Sequence, residues 1–417
     1  MVATAAIAVL VAPLAACSSQ QAGDQSSKAS DSKAAPISIY SYFGEQQIGG
    51  LIDEFKKAHP EIQVDLQTGQ DPAQYVQTLQ TRLAGGKPPT VFNLTMDNRT
   101  DIMSAGAALD IAGNDFLEGI DPANFDLFKQ DEKIYAMPVS AWVGVMFYNK
   151  DILSKAGISE FPTTWDDFIK ASKAINETGK TAFLEDFNTQ VSGTFTGLLA
   201  SKYSKEGLTG DLDQNIWKGQ STFEKEWTPV YDAWNKAVSE GVIPAKSVGI
   251  SADQVKQEFM TGSLAFMRSG PWDLQDIRDS GINFGTAPFP AFDSSSERWI
   301  NGGPDQGFAI SSKASPEEQE SAKVFLQFLN SEAGLKAFTE QAGTLSLSTK
   351  YSAEPPAELK EIVTDYFNTN KFYWVNWPKS PTVMSTEATA QQQRLVQGEI
   401  TPADAAKALD QKWATLK

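Results

Sequence analysis

An alternation of strand and helix patterns near the start of the chain most constrains its fold. The segment "ISIYSYFG" alternates β-branched and aromatic side chains, which is typical of a strand. A helical face follows, with apolar residues at i, i+3, i+4 and i+7: Ile48, Leu51, Ile52 and Phe55. "IQVDLQ" predicts a second strand, Val76, Leu79 and Leu83 a second helix, and "PTVFNL" a third strand. This order predicts an α/β fold built on a parallel sheet.

Length and charge limit the classes of protein to which the chain can belong. With 417 residues it is long enough for two or three domains, at about 100–200 residues per domain. A hydrophobic share of 41% and a charged share of 21% are typical of a globular protein. The formal net charge of −17 argues against nucleic acid as a partner, since phosphate binding needs a basic surface. The acidity also promotes solubility.

Cysteine and histidine are scarce, which excludes several kinds of site. Cys17 and His59 are the single representatives of their types, too few for a zinc site of the Cys/His kind. A Ser-His-Asp triad would have to use His59, which ends a helical pattern just before Pro60 and is typical of a surface helix terminus. We therefore expect no metal, no cofactor and no disulfide in the folded body.

The first residues predict export and a lipid anchor. Residues 2–16 are apolar and uncharged, shorter than the roughly 20 residues of a membrane span, and suit an export signal. "LAAC", which ends at Cys17, resembles the lipobox of bacterial lipoproteins, and this implies a signal peptide over 1–17 with Cys17 lipid-modified; a coincidental cysteine is the alternative. Residues 18–35 are small and polar and predict a flexible tether. We expect the folded body at the outer face of the cytoplasmic membrane.

Several tryptophans have patterns typical of core residues. Four lie in helical patterns, and we expect their rings in the core: Trp165, Trp227, Trp234 and Trp413.

The segment "PTTWDDF" predicts a helix start, because Thr163 with Asp166 three residues later forms a capping-box pattern.

The order of motifs along the chain resembles a known family, the extracellular solute-binding proteins of bacterial ABC importers, in the branch that includes maltose-binding protein. The resemblance covers nearly all of residues 36–417. The segments that carry it are "LIDEFKKAHPEIQV", "GGKPPTVFNL", "YAMPVSAWVGVMFYNKDIL", "PTTWDDF", "FMTGSLAFMRSGPW", "GGPDQGFAIS" and "AKVFLQFLNSEAGLKAF". Each segment alone is a weak signal, but seven in the family's order are specific.

The resemblance implies a type II periplasmic-binding-protein fold with two α/β lobes, each a mixed sheet flanked by helices. The implied N-terminal lobe comprises 36–143 and 304–346, and the C-terminal lobe comprises 144–303 and 347–417. A three-crossing hinge would join the lobes at positions near 142–145, 301–306 and 345–349. The ligand of such proteins lies in the cleft between the lobes, which close around it.

The candidate site residues are aromatic or polar, as sugar binding requires. Sugars present apolar faces that stack on flat rings, and hydroxyls that need hydrogen-bond partners. Trp272 in "GPW" is the first candidate, because the family resemblance implies a stacking tryptophan there, and Trp142 is the second; core packing is the alternative for both. The polar candidates are Asp97 and Arg99 after the third strand, Asp305 in "GGPDQG", Glu45, Asp186 and Asn188.

Two further candidates lie in "FYWVNWPKS", which contains Trp374 and Trp377; an amphipathic strand that buries them is the alternative. For the polar candidates the alternatives are surface turns, a solvated loop and a hinge turn.

The resulting hypothesis is a monomeric, lipid-anchored receptor that binds an oligosaccharide and delivers it to the permease of an ABC importer, without chemistry. Two alternatives stay open. The first is a binder of another solute, such as a polyamine, a peptide or a glycerol phosphate ester. The second is a secreted glycoside hydrolase that uses Glu185 and Asp186.

Overall fold

Strands and helices alternate through the computed structural model, which describes residues 34–69, 72–187, 191–208 and 211–416. The predicted signal peptide with Cys17, the tether as far as residue 33, and the candidate Asn188 lie outside the described residues. The architecture is mixed α/β, as the sequence predicts.

The strands are β1 (Ile37–Ser41), β2 (Val64–Thr68), β3 (Val91–Leu94), β4 (Lys129–Gln130), β5 (Lys133–Ile134), β6 (Ser140–Asn149), β7 (Thr181–Phe183), β8 (Leu264–Ser269), β9 (Phe284–Ala287), β10 (Ile300–Pro304), β11 (Gly307–Ile310), β12 (Leu345–Ser346) and β13 (Phe372–Tyr373). The α-helices are α1 (Glu45–Ala58), α2 (Pro72–Ala84), α3 (Arg99–Ser104), α4 (Lys150–Lys155), α5 (Trp165–Glu177), α6 (Gly193–Tyr203), α7 (Gln214–Trp217), α8 (Phe223–Ser239), α9 (Ala252–Met260), α10 (Leu274–Asp279), α11 (Pro316–Leu329), α12 (Glu332–Ala342), α13 (Pro381–Val396) and α14 (Pro402–Thr415).

The first sheet has the strand order β11-β3-β1-β2. Strand β1 pairs in parallel with both β2 and β3, which confirms the parallel core that the alternation predicts. The edge strand β11 pairs antiparallel to β3, from Gly307 opposite Leu94 to Ile310 opposite Val91. This strand comes from much later in the chain, and it makes the sheet mixed.

Helix α1 shows how the apolar spacing produces the packing. Its buried residues are the four that the sequence pattern predicts: Ile48, Leu51, Ile52 and Phe55. They pack in one cluster with α11 and α12, where the ring of Phe55 meets Phe325 edge-on at 5.2 Å between centroids. Burial of each such side chain contributes about 1.5–3 kcal/mol, so this face holds the helix on the sheet.

The second sheet is organised around β6, its longest strand, in the order β13-β10-β6-β8-β7. Strands β9 and β12 also pair with β6, beside the main path. Strand β8 runs antiparallel to β6, with Arg268 opposite Met146. Strand β10 pairs with the first half of β6, with Gly303 opposite Trp142.

Buried apolar side chains divide the described part of the chain into two lobes. The first lobe holds two clusters, on the two faces of the first sheet, with members from 37–139 and 308–342. The second lobe holds two clusters, on the two faces of the second sheet, with members from 143–300 and 359–409. This arrangement agrees with the two-lobe fold class that the resemblance implies. The exact lobe limits stay predictions.

The start of α5 and the burial of the tryptophans agree with the sequence patterns, except that the capping residue lies one position later than predicted. The N-cap of α5 is Thr164, whose hydroxyl accepts from the Asp167 nitrogen at 3.2 Å, one residue later than the predicted pair of Thr163 and Asp166. Both threonines have an aspartate three residues on, so the pattern alone does not choose between them. The rings expected in the core are buried at Trp165, Trp227 and Trp234, and half-buried at Trp413.

Across the ranges that the structure describes, none of the helices has both the length and the apolar character needed to cross a membrane.

Candidate ligand-binding site

Trp272 lies where the end of β8 turns into a 3-10 helix, Pro271–Asp273. It is 38% exposed, which is high for a large apolar side chain in a folded domain. Gly270 allows this position, because a β-carbon there would lie 2.3 Å from the indole of Trp272 and 2.5 Å from the Val143 carbonyl oxygen. The ring therefore folds back beside β6 while part of its surface stays open to solvent.

The first lobe approaches this turn closely. A β-carbon on Gly343, at the end of α12, would lie 3.2 Å from the Pro271 carbonyl and from the Trp272 nitrogen. Gly343 has a φ of 64°, which glycine adopts at little cost. Because α12 belongs to the first lobe and β8 to the second, Trp272 lies at the boundary between the lobes.

Three of the candidate tryptophans meet at this boundary, and we call Trp142, Trp272 and Trp374 the tryptophan corner. The rings of Trp142 and Trp374 lie 5.1 Å apart between centroids at an interplanar angle of 76°. Those of Trp142 and Trp272 lie 6.4 Å apart at 54°. Trp142 comes from β6, and Trp374 directly follows β13. Because the rings are inclined to one another, their faces point in different directions, and a molecule bound between them would meet more than one ring face.

Arg268, which was not among the residues predicted from the sequence, lies at the centre of the tryptophan corner. Its guanidinium carbon lies 6.0 Å from the centroid of Trp142, 5.9 Å from Trp272 and 5.7 Å from Trp374. These distances fall within the range of cation–π attraction. A signal existed in the sequence, because Arg268 is the one charged residue in the strand "LAFMRS" and lies four residues before Trp272.

Two carboxyl groups follow β7 and lie beside the corner. Glu185 and Asp186 line a small cavity of about 40 Å³ together with Arg268, Trp272 and Asp273. Burial raises the pKa of Glu185 to about 7, against the lowering effect of the hydrogen bond that the Thr194 hydroxyl donates to it. Burial also raises the pKa of Asp186, while the nearby charge of Arg268 lowers it.

A second polar group is centred on Asp305, in the passage from β10 to β11. Asp305 is 8% exposed, its backbone N–H donates to the Ser140 carbonyl at 2.8 Å, and its carboxylate accepts from the Gln306 N–H at 2.9 Å. Burial raises its pKa to about 7. Tyr42, after β1, has a pKa raised first by burial and then by the charges of Asp305 and Asp97, which places these three side chains near one another.

Arg99 and Asp97 connect the lobes. Arg99, at the start of α3, is 4% exposed and donates a short hydrogen bond to the side-chain oxygen of Asn376 and a longer one, of 3.5 Å, to the Trp377 carbonyl. Burial lowers its pKa to about 10. The carbonyl of Asp97 accepts from the Thr382 hydroxyl at 3.1 Å, and burial raises the pKa of the Asp97 carboxyl.

The structure buries the candidate Trp377 and leaves the candidate Glu45 exposed. The Trp377 ring is 4% exposed and packs in the second-lobe core against Trp217, Phe223 and Trp227, so its predicted ligand contact is corrected to core packing. Glu45 is exposed at the first position of α1. Within the described ranges, no group of three or more His, Cys, Asp or Glu side chains is arranged to hold a metal ion.

Comparison with known proteins assigns the family. Residues 44–336 match the family described as bacterial extracellular solute-binding protein. A solved structure of a family 1 extracellular solute-binding protein from Bifidobacterium longum subsp. infantis is 67% identical to this chain. The match covers 91% of this chain and 99% of that one, with a TM-score of 0.79.

Curated relatives are more distant in sequence. The multiple sugar-binding protein of Streptococcus mutans is 22% identical over 84% of this chain and 84% of its own length. A maltooligosaccharide ABC transporter solute-binding lipoprotein of Streptococcus pneumoniae is 24% identical over 87% of this chain and 83% of its own. Both matches cover most of the chain.

Proposed function

The chain belongs to the bacterial extracellular solute-binding proteins, and from that premise we propose that it captures a neutral oligosaccharide between its lobes for an ABC importer. The names of two curated relatives, a multiple sugar-binding protein and a maltooligosaccharide ABC transporter solute-binding lipoprotein, support a sugar as the ligand. The proposal includes no chemistry, since capture needs only stacking, hydrogen bonds and release to the permease.

The tryptophan corner is the observation that carries the proposal. Its partly open ring, Trp272, lies where the lobes meet, and the Asp186 carboxyl lines the small cavity beside it. Indole faces stack on the apolar faces of pyranose rings, while carboxyl groups pair with hydroxyls. A neutral ligand fits this chemistry, because an anionic one would meet a surplus of carboxylates.

We further propose that the lobes, 36–143 with 304–346 and 144–303 with 347–417, close around the ligand. The support is topological, since the chain passes from the buried clusters of one lobe to those of the other near β6, near the β10–β11 junction and near β12. Three chain passages that lie side by side permit a bend without breaking either core. The lipid anchor at Cys17 and the outer face of the cytoplasmic membrane complete the proposal.

The test is a thermal-shift screen on the folded body. The panel holds neutral α-glucosyl, α-galactosyl and pentosyl oligosaccharides, with polyamines and glycerol phosphate esters as the alternative ligands. A ligand at 100 times its Kd stabilises the folded state by about 2.7 kcal/mol, which such a screen resolves. Stabilisation by a polyamine or a phosphate ester, with none by any sugar, would contradict the proposal.

Two further experiments address the finer parts of the proposal. Chromatography of the sugar after prolonged incubation with the protein should return it unchanged, and appearance of shorter products would instead indicate a hydrolase. Labelling of the full chain with a palmitate analogue in bacteria should modify the wild type and not Cys17→Ala; equal labelling of the two would contradict the anchor.

A further inference from the structure

We infer that Arg268 is a positioning residue of the sugar-stacking surface: its guanidinium ties the rings of the tryptophan corner together and sets the angles at which they meet the ligand. This inference rests on the proposed function, because ring angles matter to affinity only if a sugar stacks there. Arg268 acts through the rings and not through a contact with the sugar.

The three rings need a common partner because they come from distant parts of the chain. Trp142 lies within β6, Trp272 follows β8, and Trp374 follows β13. The rings of Trp142 and Trp272 lie 6.4 Å apart, at the long end of the range for ring pairs, and among the described residues no ring contact joins Trp272 to Trp374. The guanidinium of Arg268 lies within 6.0 Å of all three centroids and is the group that they share.

A slot lined by two glycines holds the arginine side chain in this place. A β-carbon on Gly193 would lie 2.9 Å from Nε and 3.1 Å from Cγ of Arg268. A β-carbon on Gly144, on the neighbouring strand β6, would lie 3.6 Å from the same Nε. Any larger residue at Gly193 would displace the stem, so the backbone of α6 and β6 shapes the path that the side chain follows toward the rings.

The surroundings of the guanidinium favour contact with ring faces. Its Nε is buried and has no hydrogen-bond partner among the described residues, so no hydrogen bond at Nε fixes the side chain. Its charge acts on Glu185 and Asp186, which line the same small cavity, and lowers the pKa of both carboxyl groups against the effect of burial. A cation in partly desolvated surroundings gains more from a ring face than one in water, and this strengthens its hold on the corner.

The first test needs no ligand. Arg268→Met keeps the length of the stem and removes the charge, and we expect it to change the near-ultraviolet circular dichroism of the tryptophans in the sugar-free protein. Arg268→Lys keeps a cation and should recover most of the wild-type spectrum. An unchanged aromatic spectrum in Arg268→Met would overturn the inference, whatever the protein binds.

The second test measures the sugar affinity by titration calorimetry, with the best sugar from the thermal-shift screen. We expect Arg268→Met to weaken binding by about tenfold, and Arg268→Lys to lose less. The matched control is Arg298→Met in the same lobe, since Arg298 also lies over a ring, that of Phe161 at 5.7 Å, away from the corner. This control should bind like the wild type.

A double-mutant cycle separates positioning from direct contact. If Arg268 acts through the rings, then Arg268→Met should cost less than threefold in affinity when Trp272 is already alanine. A full tenfold loss in that background indicates a direct bond to the sugar and would overturn the inference. Absence of sugar binding by the wild type would instead contradict the proposed function, and the spectrum of the sugar-free variant would still decide the role of Arg268.

Discussion

Arg99 of the first lobe and Arg268 of the second both place a guanidinium near the boundary between the lobes, but with different neighbours. Arg99 donates hydrogen bonds to Asn376 and to the Trp377 carbonyl, across the boundary. Arg268 faces three indole rings, from β6, from the turn after β8 and from the segment after β13, and its Nε is unpartnered among the described residues.

The difference shows that one residue type serves two physical roles. Hydrogen bonds from a buried cation are directional, and their loss leaves the acceptors without a partner. Arg99 therefore contributes to stability and to the joining of the lobes. Contact with ring faces is weaker and less directional, so Arg268 can hold the rings while leaving part of Trp272 open. Substitution of Arg99 should therefore mainly change stability, and substitution of Arg268 should mainly change ligand affinity.

The largest expected effect is on sugar affinity, and it comes from substitution of Trp272, the ring beside Arg268. Trp272→Ala should weaken sugar binding by roughly 100-fold or more, because truncation of a central aromatic contact costs about 2–4 kcal/mol. The midpoint of thermal unfolding should change little, since the ring is 38% exposed. Titration calorimetry and thermal melts check the two parts, and wild-type affinity in the variant would remove Trp272 from the site.

The next effect is on stability, at the first arginine. Arg99→Met should lower the free energy of unfolding by about 2–3 kcal/mol, since it leaves the Asn376 oxygen and the Trp377 carbonyl without their charged donor. Denaturant unfolding measures this loss. Arg268→Met is the paired variant and should lose less than half as much; equal losses would erase the distinction between the two arginines.

The pH dependence of stability tests the first lobe through the buried carboxyl of Asp305. Its pKa is about 7 in the folded state and near 3.8 when unfolded, so the folded state binds the proton more tightly. The stabilisation is complete below pH 4 and is lost as the pH rises toward 7. Between pH 5 and pH 8 this should cost the wild type roughly 2.5 kcal/mol more than Asp305→Asn, since the proton is lost over about two pH units and one pKa unit is worth about 1.4 kcal/mol.

Thermal melts at pH 5, 6.5 and 8 check this expectation. The matched control is Asp53→Asn on the exposed side of α1, which should follow the wild type. Parallel profiles for Asp305→Asn and Asp53→Asn would mean that Asp305 does not titrate in this window.

The smallest effect lies far from both arginines. Ser315→Ala removes the capping box of α11, in which the serine hydroxyl accepts from the Glu318 nitrogen at 3.2 Å and the Glu318 carboxylate accepts from the Ser315 nitrogen at 2.8 Å. We expect a loss of about 1 kcal/mol in unfolding free energy and no change in sugar affinity. A change in affinity would show that the first-lobe scaffold and the corner are coupled.

Local patterns predicted the elements well and the site in part. The spacing of Ile48, Leu51, Ile52 and Phe55 requires a helix with one buried face, and the structure buries those four residues. In "FYWVNW" a strand-like alternation buries Tyr373, Val375 and Trp377 and leaves Trp374 half-exposed, so it could have separated the two tryptophans. Trp377 was nevertheless predicted at the ligand, because composition alone does not assign a face.

The neighbours of Arg268 could not be predicted from the sequence. A single arginine in an apolar strand has no pattern that names its partners, because the three rings it faces lie 126 residues before it, four after it and 106 after it. The juxtaposition depends on the register of β6, β8 and β10 and on the slot left by two distant glycines.

The sequence by itself determined the elements and the two-lobe family, since hydrophobic periodicity and motif order are written in neighbouring residues. Tertiary structure alone decided which tryptophans share a corner, which arginine supports them and which one joins the lobes. The physical reason is range: burial patterns act over a few residues, whereas ring contacts and hydrogen bonds between lobes require long stretches of chain to fold first.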